Sequence, residues 1–184
     1  SILSNKKFRY AGKNRIEQYK SQYHQYRRKI IGRFELFQIE QVYSYHDNEG
    51  ASKSGNLRNH EGRNKWFEKT GLLSPYLNLY DELTGFENLD FFYRLKAKDG
   101  NYSHDRIDHV LHKVNLYEKR NELLKNYSSG MKQKLKLAFA VLHEPEIIFL
   151  DEPTSGVDPI SRRQFWDLIN ELAGKGVTVF VTTH

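Results

Sequence analysis

Two adjacent acids, Asp151 and Glu152, follow the apolar run Ile147–Leu150 (IIFL). A short run of β-formers bounded by charge predicts a buried strand, and the acids then stand at its carboxyl end. In parallel α/β sheets that end is where ligands bind. An Asp there can hold Mg2+ directly or through water while the metal bridges phosphate oxygens. A second acid, pointed differently, can polarise an attacking water. The same pair also suits a plain solvated strand end, so the flanking residues must decide.

Upstream lies Tyr127–Gln133 (YSSGMKQ). Ser128 or Ser129 can cap a helix that carries Leu135, Phe139 and Leu142 on one face, with Pro145 ending it. Backbone N–H groups at such a helix start attract phosphate, and Gly130 admits close backbone approach; the bland alternative is a simple cap. Downstream, Ser161–Ala173 is helical in pattern, Gly174–Gly176 is a turn, and Val177–Thr183 is rich in β-branched residues, with His184 directly after it. Strand, helix and strand with short links predict a parallel pair with a right-handed crossover. Before this core, Thr84 can cap a helix through Phe86, Leu89, Phe92 and Leu95, and Ser103–Leu124 reads as a second helical stretch. The expected fold is an α/β parallel sheet preceded by a helical subdomain.

Residues 1–65 have a different texture. They hold 14 Lys and Arg against 6 Asp and Glu, so the net charge of +6 belongs to this third of the chain. Apart from IIGRFELFQI they show neither apolar period, and such a segment can bury little. Basic charge mixed with tyrosine would suit base stacking on nucleic acid, but no recognition module's spacing is present and this reading is disfavoured. There is no cysteine, which excludes disulfides and thiolate metal sites. No run approaches the roughly 18–20 apolar residues of a membrane span. The first residues lack the apolar stretch of a secretion signal, so a cytoplasmic location is expected.

Residues 66–184 resemble the nucleotide-binding domain of ATP-binding cassette (ABC) transporters. YSSGMKQ is similar to the family signature, usually written LSGGQ; IIFLDEP is similar to Walker B, SGVD to the D-loop, and His184 to the switch histidine. The resemblance implies a P-loop NTPase-like sheet, with residues 76–128 as helical subdomain and 129–184 carrying the motifs. It implies Mg2+ support by Asp151, a general base at Glu152, and γ-phosphate contact by His184. Ser128, Ser129 and Gly130 would touch ATP held by a second subunit, and Asp158 would line that dimer interface. The implied partners are a second nucleotide-binding domain, a homodimer being expected, and a separate membrane-spanning subunit, with this chain peripheral on the inner membrane face. YSSGMKQ and SPYLNLYDELTGFENL suggest an export type, of the cytochrome c maturation (haem) or multidrug kind.

Within the signature Ser129 replaces the usual first glycine and Met131 the glutamine, both tolerable, and the sequence departs from the pattern more seriously in three places. Pro75 stands where the family has its Q-loop glutamine, with Ser74 as a weak substitute. No glycine-rich loop of the form GxxxxGK followed by Ser or Thr exists; the nearest string, Asp47–Ser54, has Asp47 and Ser52 at the glycine positions. Those glycines let backbone N–H groups wrap phosphate, and an Asp there repels it. Residues 1–65 are therefore unassigned, either disordered or read in a shifted frame. A one-base shift over Gln41–Gly55 permits Lys-Ser-Thr-Leu followed by Gly-Leu-Leu-Ser-Pro, although the glycine before the lysine needs a second slip. The sequence also stops at His184, where the family continues, so a domain incomplete at both ends is expected. Two functions follow: an ATP-hydrolysing subunit, or a non-catalytic module completing a partner's ATP site.

Overall fold

A computed structural model of the chain describes residue 21 and residues 69–96 and 102–182. Residues 1–20, 22–68 and 97–101 lie outside it, as do Thr183 and His184, and with them the expectations placed on the basic segment and on the switch histidine. Every element below belongs to the unit 55–184.

Among the described residues three parallel strands lie side by side in chain order: β1 (Thr70–Leu73), β2 (Ile147–Asp151) and β3 (Thr178–Thr182). Leu73 pairs with Leu150, and Asp151 with Thr182, so the three carboxyl ends line up. β1 and β2 are buried throughout, which explains why β2 reads as an unbroken apolar run and not as alternation. The parallel β2–β3 pair joined by a helix is as the short links predicted. β1 was not anticipated: TGLL is only four residues long and has no period.

Between β1 and β2 run three helices, α1 (Gly85–Lys96), α2 (His104–Lys113) and α3 (Ser129–Val141). α4 (Pro159–Gly174) joins β2 to β3. Thr84 caps α1 by a reciprocal pair: its hydroxyl accepts from Glu87 N–H at 3.1 Å and its own N–H donates to Glu87 at 2.9 Å. The stretch Ser103–Leu124 is not one helix. Asn115 turns left-handed (φ 56°) after α2, and two 3-10 turns, Tyr117–Lys119 and Leu124–Asn126, replace the predicted continuation. α3 likewise ends at Val141, before Pro145 acts, where Arg106 of α2 donates to the carbonyls of Val141 and Leu142.

The core of the helical part is aromatic. Tyr80 stacks on Phe92, whose ring meets Phe91 and, on α3, Phe139 at 5.0 Å between centroids. Asn88, fully buried, organises the loop before α1 by accepting from Tyr80 N–H and donating to the carbonyls of Tyr80 and Thr84. α3 lies so close to β1 that a Cβ on Gly71 would sit 2.4 Å from the Ala140 carbonyl oxygen. These contacts pack the last turn of α3 against β1 and the aromatic core. Among the described residues no helix is long and apolar enough to cross a membrane.

Candidate functional site

The two acids diverge at the end of β2. Asp151 is 4% exposed, and the Thr182 hydroxyl of β3 donates to its Oδ1 at 2.9 Å. Glu152 is partly exposed and left-handed, with φ 45°. A non-glycine residue pays roughly 1–2 kcal/mol to sit there. Neighbours fix the turn: Glu152 N–H donates to the Thr182 carbonyl at 3.0 Å, and the Glu152 carbonyl accepts from Ser155 N–H at 3.3 Å. The break in strand geometry separates the carboxylates, leaving one under the sheet edge and one toward solvent. Uncommon backbone of this kind clusters where a side chain must be aimed.

The start of α3 stands beside this turn. Ser128, not Ser129, is the cap; its hydroxyl accepts from Met131 N–H at 3.2 Å. Ser128 and Ser129 are exposed and Gly130 is buried. A Cβ on Gly130 would lie 2.3 Å from Ser161 Oγ and 3.6 Å from Asp158 Oδ2. The glycine therefore has a packing reason inside this chain, beside any role toward phosphate. Asp158 caps α4, accepting from Ser161 N–H at 2.9 Å, and hydrogen bonds from Ser161 hold its carboxyl below the usual range. Lys134 donates to Gln164 of α4 at 2.6 Å, and its burial lowers the ammonium pKa against the opposing pull of Asp158. Two helix starts thus meet here with one carboxylate between them.

Three contributors escaped sequence reasoning. Thr182 braces Asp151, Ser161 packs on Gly130, and the Gln133 amide donates to the Pro153 carbonyl just after Glu152. Only Thr182 left a signal, as the polar end of a β-branched strand one step before the edge. Pro75 lies exposed in the turn after β1, and Ser74 beside it is buried with its hydroxyl accepting from Tyr76 N–H at 3.3 Å. Ser74 thus shapes its own turn.

The oxygen donors present fit a hard cation. Mg2+ commonly takes one or two carboxylates and completes its shell with water and phosphate oxygens. Among the described residues no group of three acidic, histidine or cysteine side chains gathers; the buried carboxylate of Asp151 has the Thr182 hydroxyl beside it.

A parallel sheet with acids at its carboxyl edge and a helical subdomain before them defines a P-loop NTPase-like α/β protein. The fold agrees with a solved structure, cbiO1 from Clostridium perfringens, described as part of the ABC transporter complex cbiONQ, at a TM-score of 0.59 and 23% identity over 68% of this chain and 51% of that one. The ABC transporter family model matches residues 15–155, and the chain belongs to that family. The match reaches back into the segment left unassigned above. A probable multidrug ABC transporter ATP-binding protein, YbhF, from Escherichia coli is 40% identical over 124 residues, 67% of this chain and 22% of that protein. The daunorubicin resistance ATP-binding protein DrrA3 of Streptomyces coeruleorubidus is 39% identical over 116 residues, 63% of this chain and 37% of that protein. The chain spans well under half the length of these curated relatives.

Proposed function

We propose that this chain is part of the ATP-binding subunit of an export-type ABC transporter. The observation that carries the reading is the divergent pair Asp151 and Glu152 at the carboxyl end of β2, in a chain of this family. Export, and drug-like cargo as one possibility for it, comes from relatives named for multidrug and daunorubicin resistance. In this reading Asp151, oriented by Thr182, supplies the carboxylate for Mg2+, whose bound charge would offset that developing on phosphate. Glu152, set apart by its left-handed backbone, takes the proton of an attacking water. Ser128, Ser129 and Gly130 offer first-turn N–H groups to ATP held by a second subunit, with Asp158 at the shared surface and His184 toward the γ-phosphate. A separate membrane-spanning partner selects the cargo, with this chain peripheral on the inner membrane face.

The lack of a phosphate-wrapping glycine loop favours a second reading, a module that completes a partner's site without hydrolysing ATP. One experiment separates them. The DNA encoding residues 1–66 is resequenced and translated in three frames. If another frame holds a glycine-rich loop ending in Gly-Lys and Ser or Thr, the restored chain hydrolyses ATP. Glu152→Gln then lowers kcat by roughly 10²–10⁴, the usual worth of a general base. If no frame holds it, and the chain retains no Mg-ATP, the hydrolytic reading fails and the complementing module stands.

A further inference from the structure

α3 presents Gly130, Gln133 and Lys134 on one face, the i, i+3, i+4 set that shares a side of a helix. Gly130 packs on Ser161 and Lys134 donates to Gln164, so two of the three hold α3 to α4. Gln133 does something different. Its side-chain amide donates to the Pro153 carbonyl, in the segment that leaves β2 for α4. Pro153 is buried, follows left-handed Glu152, and has no N–H to tie itself down. The segment is fixed to the sheet by Glu152 N–H on Thr182 and to α4 by the Asp158 cap. Gln133 is its tie to α3.

We propose that Gln133 is a positioning residue that links the start of α3 to the backbone of Glu152. This rests on the reading of Glu152 as base and of Ser128–Gly130 as the half-site for a partner's ATP. A disturbance at the start of α3 then travels three to five residues along one rigid helix and reaches the catalytic turn through the Gln133–Pro153 hydrogen bond. The chain couples the site it completes for its partner to the site it serves itself. Gln133→Glu keeps shape and length but replaces the donor with an acceptor facing a carbonyl. Gln133→Lys restores a donor.

The test uses the full chain without nucleotide and reads amide hydrogen exchange at Glu152 and Ser155, whose N–H groups close the turn. Gln133→Glu is expected to speed exchange at both amides about tenfold, the loss of one hydrogen bond of ~1.4 kcal/mol, while Leu137–Val141 in the body of α3 exchange as before. Gln133→Lys returns the two amides toward wild-type rates. Removing the cap by Ser128→Ala should speed the same two amides in the wild-type background and add nothing in the Gln133→Glu background. Equal increments from Ser128→Ala in both backgrounds, or a uniform rise across α3 and the turn, would overturn the link. Because no nucleotide is present, failure here leaves the ATPase reading intact. Failure of the frame and ATP-binding experiment likewise leaves this mechanical link standing.

Discussion

Gly130 is the position where packing and phosphate recognition make different predictions. A methyl group there would sit 2.5 Å from Ser161 Cβ and 2.3 Å from Ser161 Oγ. The hydroxyl can rotate away but Cβ cannot, and carbon atoms prefer a separation of roughly 3.5–4.0 Å. The starts of α3 and α4 must therefore part by about 1 Å, which overpacking data value at ~1–3 kcal/mol. Helix propensity offsets at most about 1 kcal/mol of this, since alanine is otherwise better than glycine. The expected net cost of Gly130→Ala is about 1–2 kcal/mol, read as a lower urea midpoint with unchanged slope.

Ser161→Gly removes the obstructing atoms. In that background Gly130→Ala should become neutral or stabilising, giving a coupling of about 2 kcal/mol between the two positions, well beyond the ~0.3–0.5 kcal/mol scatter of independent sites. Urea unfolding of the four proteins measures it. If Gly130→Ala costs the same with serine and with glycine at position 161, the packing account is wrong and the glycine serves only an external ligand. The double variant also isolates the phosphate role. It restores the fold while keeping a methyl group where the backbone would approach a partner's ATP.

Three further outcomes follow from the helical part and its neighbours. Asn88→Ala removes the acceptor of the Tyr80 N–H in a buried loop, while the Tyr80 and Thr84 carbonyls keep the Leu83 and residue-88 backbone N–H groups, and should cost about 2 kcal/mol in urea unfolding; a loss below about 1 kcal/mol would mean water replaces the amide. Tyr127 donates to the Lys119 carbonyl at 2.7 Å, and its burial pushes its pKa up to about 12, with Glu122 adding to the shift. An unfolded tyrosine releases its proton near pH 10, so between there and pH 12 the folded state binds more protons and wild-type stability falls with rising pH. Tyr127→Phe should flatten that part of the curve, and parallel curves for the two proteins would refute the assignment. Lys136 is largely buried on α3 and has no ion pair among the described residues; burial lowers its pKa, and Lys132 lowers it further. The penalty for its charge is full below the folded pKa and fades as pH approaches the ordinary lysine value near 10.4. Lys136→Met should raise the midpoint at neutral pH and raise it less in strong alkali.

The motif-bearing elements were legible because each repeats a physical pattern: β2 and β3 as runs of β-formers, α3 as a capped helix with Leu135 and Phe139 buried, and α4 as a helical run. The caps at Thr84 and at Ser128 carried, whereas the reciprocal bond of Glu87 and the Asp158 cap of α4 did not. β1 did not carry, because four buried residues show no period. Nor did the end of α2: Val114 and Leu116 keep an apolar rhythm past Asn115 to fill the core, not to continue a helix. In the site, the acids and Ser128–Gly130 were visible by residue type. Ser161 and Gln133 were not, and Thr182 showed only as the polar end of a strand, because strand register and helix crossing set their contacts, and a glutamine in a helix looks like any solvated position.

Glu152 was legible as an acid but not as a strained one, and the strain is the more telling property. Glycine adopts φ 45° without the clash between Cβ and carbonyl that an L-residue meets there, so glycine is the natural occupant of this turn. The chain places a carboxylate there at a cost of roughly 1–2 kcal/mol. Stability alone does not explain that choice, whereas a need for an aimed acid does. Glu152→Gly should unfold at a higher urea concentration than Glu152→Ala, by about 1 kcal/mol after the extra chain entropy of glycine is deducted. Equal midpoints would mean the turn relaxes once the side chain is gone, and the backbone would then be no argument for the chemistry of residue 152. A clear gap, with both variants losing ATP turnover in a frame-restored chain, would show that the fold gives up stability at this residue to keep its acid in place.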